Sequence, residues 1–142
     1  MSIDDKKLFD HDEFNRWFSQ AQNTLNSAAH DLDSADYNWC CFKCQQSVEC
    51  AVKALLRGLG QIAVGHSILK LIEILENDGL SIPEEIKSCA RSLDKHYIPA
   101  LYPDVYPAGA PFEFYDEETA KSAINCSKII IDFIKRAKEK YV

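Results

Sequence analysis

Two side chains able to move a proton and hold a phosphate stand close together in the stretch RSLDKHYIPALYPDVYPAGAP, residues 91 to 111. A histidine can exchange a proton at neutral pH, and an arginine can grip a phosphate through two parallel hydrogen bonds. Arg91 precedes His96 by five positions, while Lys87, Arg91 and Lys95 recur every four residues. On a helix these three cations stack along one edge and lead toward the imidazole. Residues five apart on a regular helix differ in direction by about 140°. Arg91 and His96 therefore converge only if the helix frays before His96, or if a second copy of the chain supplies the partner residue. Beyond them, Tyr97, Tyr102 and Tyr106 are interleaved with Pro99, Pro103, Pro107 and Pro111, and Asp104 lies among them.

The chemistry open to such a set is the holding of a phosphate beside a group that can move a proton, which makes Arg91 and His96 the candidate catalytic pair. If the phosphate belongs to RNA, His96 would act as general base on a ribose 2′-hydroxyl and Arg91 would stabilise charge on the phosphate. Lys87, Lys95, Tyr97, Tyr102, Asp104 and Tyr106 are the candidate nucleotide- or RNA-contacting residues, since tyrosine faces stack on unpaired bases. Spacing alone equally permits a solvated basic helix edge and a loop whose tyrosines and prolines pack as a structural crossover.

CCFKCQQSVEC, residues 40 to 50, holds four of the six cysteines. Helical spacing sets Cys40, Cys41 and Cys44 on the arc of Val48, Ala51, Val52, Leu55 and Leu59, facing the core. Cys50 falls on the far side among Lys43, Gln46, Lys53 and Arg57, so the four cannot surround one ion. Cys89, Cys126 and the histidines show no paired ligand spacing. No metal and no cofactor is expected. Buried free thiols behave as small hydrophobes. His66 is expected to help cap the third helix, and His11 and His30 to carry no chemistry.

The elements that must position these residues are helical. Asp10 with Glu13 opens the first helix, about Asp10 to Ala35, in which Phe14, Trp17, Phe18, Ala21, Leu25, Ala28, Ala29 and Leu32 recur at helical spacing. The second covers about Tyr37 to Leu59 and the third about His66 to Glu76. The fourth begins at SIPEE, with Ser81 as expected cap and Glu84 reciprocating, and ends near Tyr97 because Pro99 biases Ile98 away from helical geometry. The last starts at Asp116 and closes in KRAKEK, charges that suit its dipole. Short links make neighbours antiparallel. The expectation is an all-α, up-and-down bundle of four to five helices, with one long Pro/Tyr-rich connection from about Ile98 to Tyr115 before the last helix.

The 142 residues, 46% apolar and 27% charged, suit one domain spanning residues 1–142. A net charge of −6 disfavours a protein coated in nucleic acid, so any such site must be local. There is no run of about 18 apolar residues, and the start MSIDDKKLFDHDEF is acidic rather than signal-like. A cytoplasmic, non-membrane protein with reduced thiols is expected.

The order and spacing of CFKCQQSVECAVKALL, GHSILKLIEIL, LDKHYIPALYPD and PFEFY resemble the HEPN domain of prokaryotes over about residues 12 to 138. The resemblance implies a small helical bundle, commonly a homodimer, encoded beside a minimal nucleotidyltransferase and described as a nucleotide-binding or toxin–antitoxin component. It also implies, for many members, metal-independent endoribonuclease activity through an arginine followed after four to six residues by histidine, a pattern Arg91 and His96 fit. Two features depart from it. Toxin members often carry a tyrosine two positions past the histidine, where this chain has Ile98. Relatives with the HYIP segment read YIPTRYPD, where this chain has Leu101 in place of the basic residue.

Overall fold

Asp10 starts the first helix by accepting the Glu13 backbone N–H on its side chain at 3.0 Å. The computed structural model describes residues 8–97 and 100–141. Among them run α1 (His11–Asp33), α2 (Tyr37–Gly58), α3 (Ile68–Asn77), α4 (Glu84–Asp94), the one-turn α5 (Pro111–Phe114) and α6 (Glu117–Lys138), with no strand. The chain is an all-α, up-and-down bundle. No described helix is long and apolar enough to cross a membrane.

The central helix is α2, which packs against α1 and α6 and also meets α3, α4 and α5. Small residues let it approach α1: Ala21 and Ala28 are fully buried there, and the buried Ser47 hydroxyl donates to the Ala21 carbonyl at 2.6 Å. Cys40, Cys41 and Cys44 are wholly inside, on one arc with Val48, Val52 and Leu55, while Cys50 is half-buried. Such interiors are packed as tightly as organic crystals, so each thiol occupies volume another side chain would have to fill.

The tight link between α1 and α2 puts Ala35 at φ 62°, the left-handed region that an L side chain enters only at a cost. Ser67 caps α3, accepting the Lys70 N–H at 3.2 Å. His66, expected at that cap, instead directs its ring to Glu49 of α2. The cap expected from Ser81 on α4 does not form: Pro83 occupies the N-cap with extended backbone, two residues past Ser81, too far for its hydroxyl to reach the first turn. Glu84 spends its carboxylate elsewhere.

α4 ends at Asp94, and Ile98 and Pro99 lie outside the described residues. Beyond them the long connection is more structured than its proline content foretold. It holds a 3₁₀ turn at Pro103–Val105 and then α5. Ala100 is fully buried, and its carbonyl accepts from the Asn38 side chain of α2 at 3.1 Å. Tyr106 stacks on Phe114 with ring centres 4.2 Å apart. Asp116 then caps α6, accepting the Thr119 N–H at 2.7 Å.

Candidate functional site at the end of α4

Ile86, Cys89, Ala90 and Leu93 are the buried stripe of α4, spaced three, one and three apart, and they fix which edge faces outward. That outward edge carries Lys87, Arg91 and, just past the helix, Lys95. The first two are engaged. Lys87 pairs with Glu76 of α3 at 2.8 Å, and Arg91 pairs with Glu84 two turns earlier at 3.0 Å, half exposed. The positive edge is thus partly neutralised within the bundle.

The helix ends at Asp94, whose side chain is committed to α3. The Asp94 carboxylate accepts the Ile68 N–H at 2.8 Å, the Leu69 N–H at 3.1 Å and the Ser67 hydroxyl at 3.0 Å. A carboxylate thereby sits on the positive end of α3, satisfying two orphan donors there. The next residues form a turn, with the His96 N–H donating to the Leu93 carbonyl at 2.9 Å.

This turn aims two consecutive rings at different neighbours. His96 Nδ1 lies 3.1 Å from the buried Tyr115 hydroxyl. Burial, with the Lys95 charge beside it, holds the imidazole down to about 4, so it is neutral at pH 7. Burial likewise pushes the Tyr115 phenol well above its usual range. Tyr97 instead stacks on His66, ring centres 4.6 Å apart and planes 17° from parallel, with Phe42 of α2 at 6.2 Å. Tyr102 and Asp104 stand exposed on the 3₁₀ turn, and Tyr106 is stacked within the loop.

Lys95 and His96 share a cleft of about 270 Å³ between α4 and α6 with Ser92, Glu118, Thr119 and Ser122. It offers one ammonium, one neutral imidazole, three hydroxyls and one carboxylate. Donors of that kind suit a phosphate, and the Glu118 carboxylate suits a ribose hydroxyl or a base N–H. Arg91 is not among its lining residues; its guanidinium is tied to Glu84 on the outer edge of α4. The sequence reading missed Tyr115, Asp94 and the α6 hydroxyls, because each meets α4 only through the fold. No group of His, Cys, Asp and Glu suited to a metal ion occurs among the described residues.

The helical bundle as a whole is one that a known family of domains shares. The family model described as the HEPN domain matches residues 14–137, and the chain belongs to that family. It is similar to the crystal structure of TT1696 from Thermus thermophilus, with 38% identity, a TM-score of 0.85, and coverage of 87% of this chain and 97% of that one. An archaeal HEPN homologue, ST0689, shares 38% identity with a TM-score of 0.74, covering 88% and 97%. An HEPN domain protein from Thermotoga maritima, TM0613, shares 33% identity with a TM-score of 0.72, covering 87% and 98%. None of the curated proteins matches the chain.

Proposed function

We propose that the chain is a nucleotide- or RNA-binding HEPN module, acting as one component of a toxin–antitoxin or nucleotidyltransferase-associated pair. The observation that carries this reading is the cleft of Ser92, Lys95, His96, Glu118, Thr119 and Ser122: on a chain of net charge −6 it sets one cation and three hydroxyls beside a single carboxylate. Lys95 takes a phosphate, Ser92, Thr119 and Ser122 supply hydroxyl donors to it, and the half-exposed Tyr102 offers a face for a base. The large side chains left exposed at the start of α2 and on the connection, Trp39, Phe112 and Phe114, are where a second copy of the chain or a nucleotidyltransferase partner protein would dock. Calorimetry with ATP, GTP and short single-stranded RNA tests the reading. Binding without turnover supports the module, and absence of binding to all three leaves only a role in protein assembly.

One observation favours a second reading, a metal-independent endoribonuclease using Arg91 and His96. The imidazole is unprotonated at pH 7, as a general base must be, but the burial that holds it at about 4 also makes it a weak base, so a bound phosphate would have to raise it. Arg91 would have to leave Glu84 to reach the same phosphate, or serve a site formed with a second copy. RNA cleavage that is lost in both Arg91→Ala and His96→Ala would establish this second reading over the first.

A further inference from the structure

Sequence position gives His66 no more to do than help cap the start of α3, yet it is built like a working histidine. Its Nδ1 lies 3.2 Å from Glu49 Oε1, and the other carboxylate oxygen of Glu49 is held by Lys53 at 3.1 Å. Glu49 is buried and Lys53 nearly so, whereas the His66 side chain is 56% exposed. The Gln45 amide donates to the His66 carbonyl at 2.7 Å and fixes the backbone, and Tyr97 covers one ring face. Position and rotation of the ring are thereby set, and the Glu49 carboxylate favours one tautomer. An ionised carboxylate only accepts hydrogen bonds, so Nδ1 must carry the proton it shares with Glu49. In the neutral ring Nε2 is then an acceptor, on a side chain that is 56% exposed.

An exposed acceptor of fixed direction does not suit a phosphate, which also accepts. It suits a hydroxyl or an N–H. Tyr97 is adjacent in the chain to His96, so this acceptor and the Lys95–His96 cleft lie on two sides of one turn, and an oligonucleotide crossing the turn would meet both. Trp39 and Phe42 of α2 continue the aromatic surface on the His66 side, meeting edge to face at 6.3 Å, and Trp39 is half exposed. Building on the nucleotide-binding reading above, we propose that His66 Nε2, oriented by Glu49, accepts a hydrogen bond from a ribose 2′-hydroxyl and makes the site prefer ribonucleotides to deoxyribonucleotides. The 2′-hydroxyl is the group by which a protein distinguishes the two sugars. Glu49 is a positioning residue that acts through His66.

The test compares a short oligouridylate with its deoxy counterpart by calorimetry on the wild type, His66→Phe and Glu49→Gln. Phenylalanine keeps a ring for Tyr97 to stack on and removes only the nitrogens. The wild type is expected to bind the ribo-oligomer about tenfold more tightly, a size typical of a hydrogen bond that one ligand makes and the other leaves unmade. Both variants should bind the deoxy-oligomer like wild type; His66→Phe should lose the preference, and Glu49→Gln, whose amide oxygen can still accept from Nδ1, should weaken it. Imidazole ¹⁵N shifts of the wild type give a readout that needs no variant: His66 should carry its proton on Nδ1, and its Nε2 should move with the ribo-oligomer and not with the deoxy one. Equal binding of the two oligomers by the wild type, or a preference that survives in His66→Phe, overturns the inference and leaves the binding reading intact. Failure of the wild type to bind either oligomer overturns both.

Discussion

The Asp94 carboxylate accepts the Ile68 backbone N–H at 2.8 Å, so the residue that ends α4 is also the anion on the N-terminus of α3. The last residue of α4 thus joins Ser67 in capping α3, and the His96 turn follows directly from that junction. Loss of this carboxylate removes three hydrogen bonds and a charge–dipole contact. Asp94→Ala is expected to cost about 2 kcal/mol of stability. Ser67→Ala, which removes the cap on Lys70 and one of those three bonds but leaves the Asp94 carboxylate on the helix end, should cost about 1 kcal/mol. Urea unfolding of both variants checks the order; equal effects would mean that Asp94 is not the principal anchor.

His96 makes stability depend on pH in a defined window. Its folded pKa of about 4 lies below the ordinary value of about 6.5, so the unfolded chain binds a proton the native state refuses. The stabilisation is complete above about pH 6.5 and is lost as pH falls through about 4, amounting to at most about 3 kcal/mol. His96→Gln should flatten this part of a melting-temperature profile, leaving only the carboxylate titrations. A wild-type profile unchanged by the substitution would show that the imidazole is solvated.

Ala35 holds a φ of 62° without the freedom of a glycine. Ala35→Gly should stabilise the protein by about 1 kcal/mol, because the strain relieved exceeds the added entropy of the unfolded chain. Thermal melting reads it directly.

Helix positions were legible because their signals are local. Asp10 and Asp116 each sit three residues before the N–H they cap, and Cys40, Cys41 and Cys44 fall on one arc by spacing alone. The site was legible only in part. His96 and Lys95 announced themselves, but Tyr115 lies 19 residues from His96 and Glu49 lies 17 from His66, distances over which no periodicity carries information. Lys87 looked free on its own helix because Glu76 belongs to α3, and Glu84 was assigned to a cap although its spacing of two turns from Arg91 offered the alternative.

Lys95 is the cation of the cleft, and its replacement should be felt in binding more than in folding. Lys95→Glu is expected to weaken nucleotide or RNA affinity at least about tenfold and to lower the salt slope by about one, with the melting temperature nearly unchanged. Filter binding at several salt concentrations measures both quantities.

The place of binding can be seen most directly by following backbone amide shifts of ¹⁵N-labelled protein during titration with a short single-stranded RNA. Shifts concentrated at Ser92, Lys95, His96, Thr119 and Ser122 are the expected result. Shifts confined to other surfaces, or none at saturating RNA, would contradict the assignment of that cleft as the ligand site.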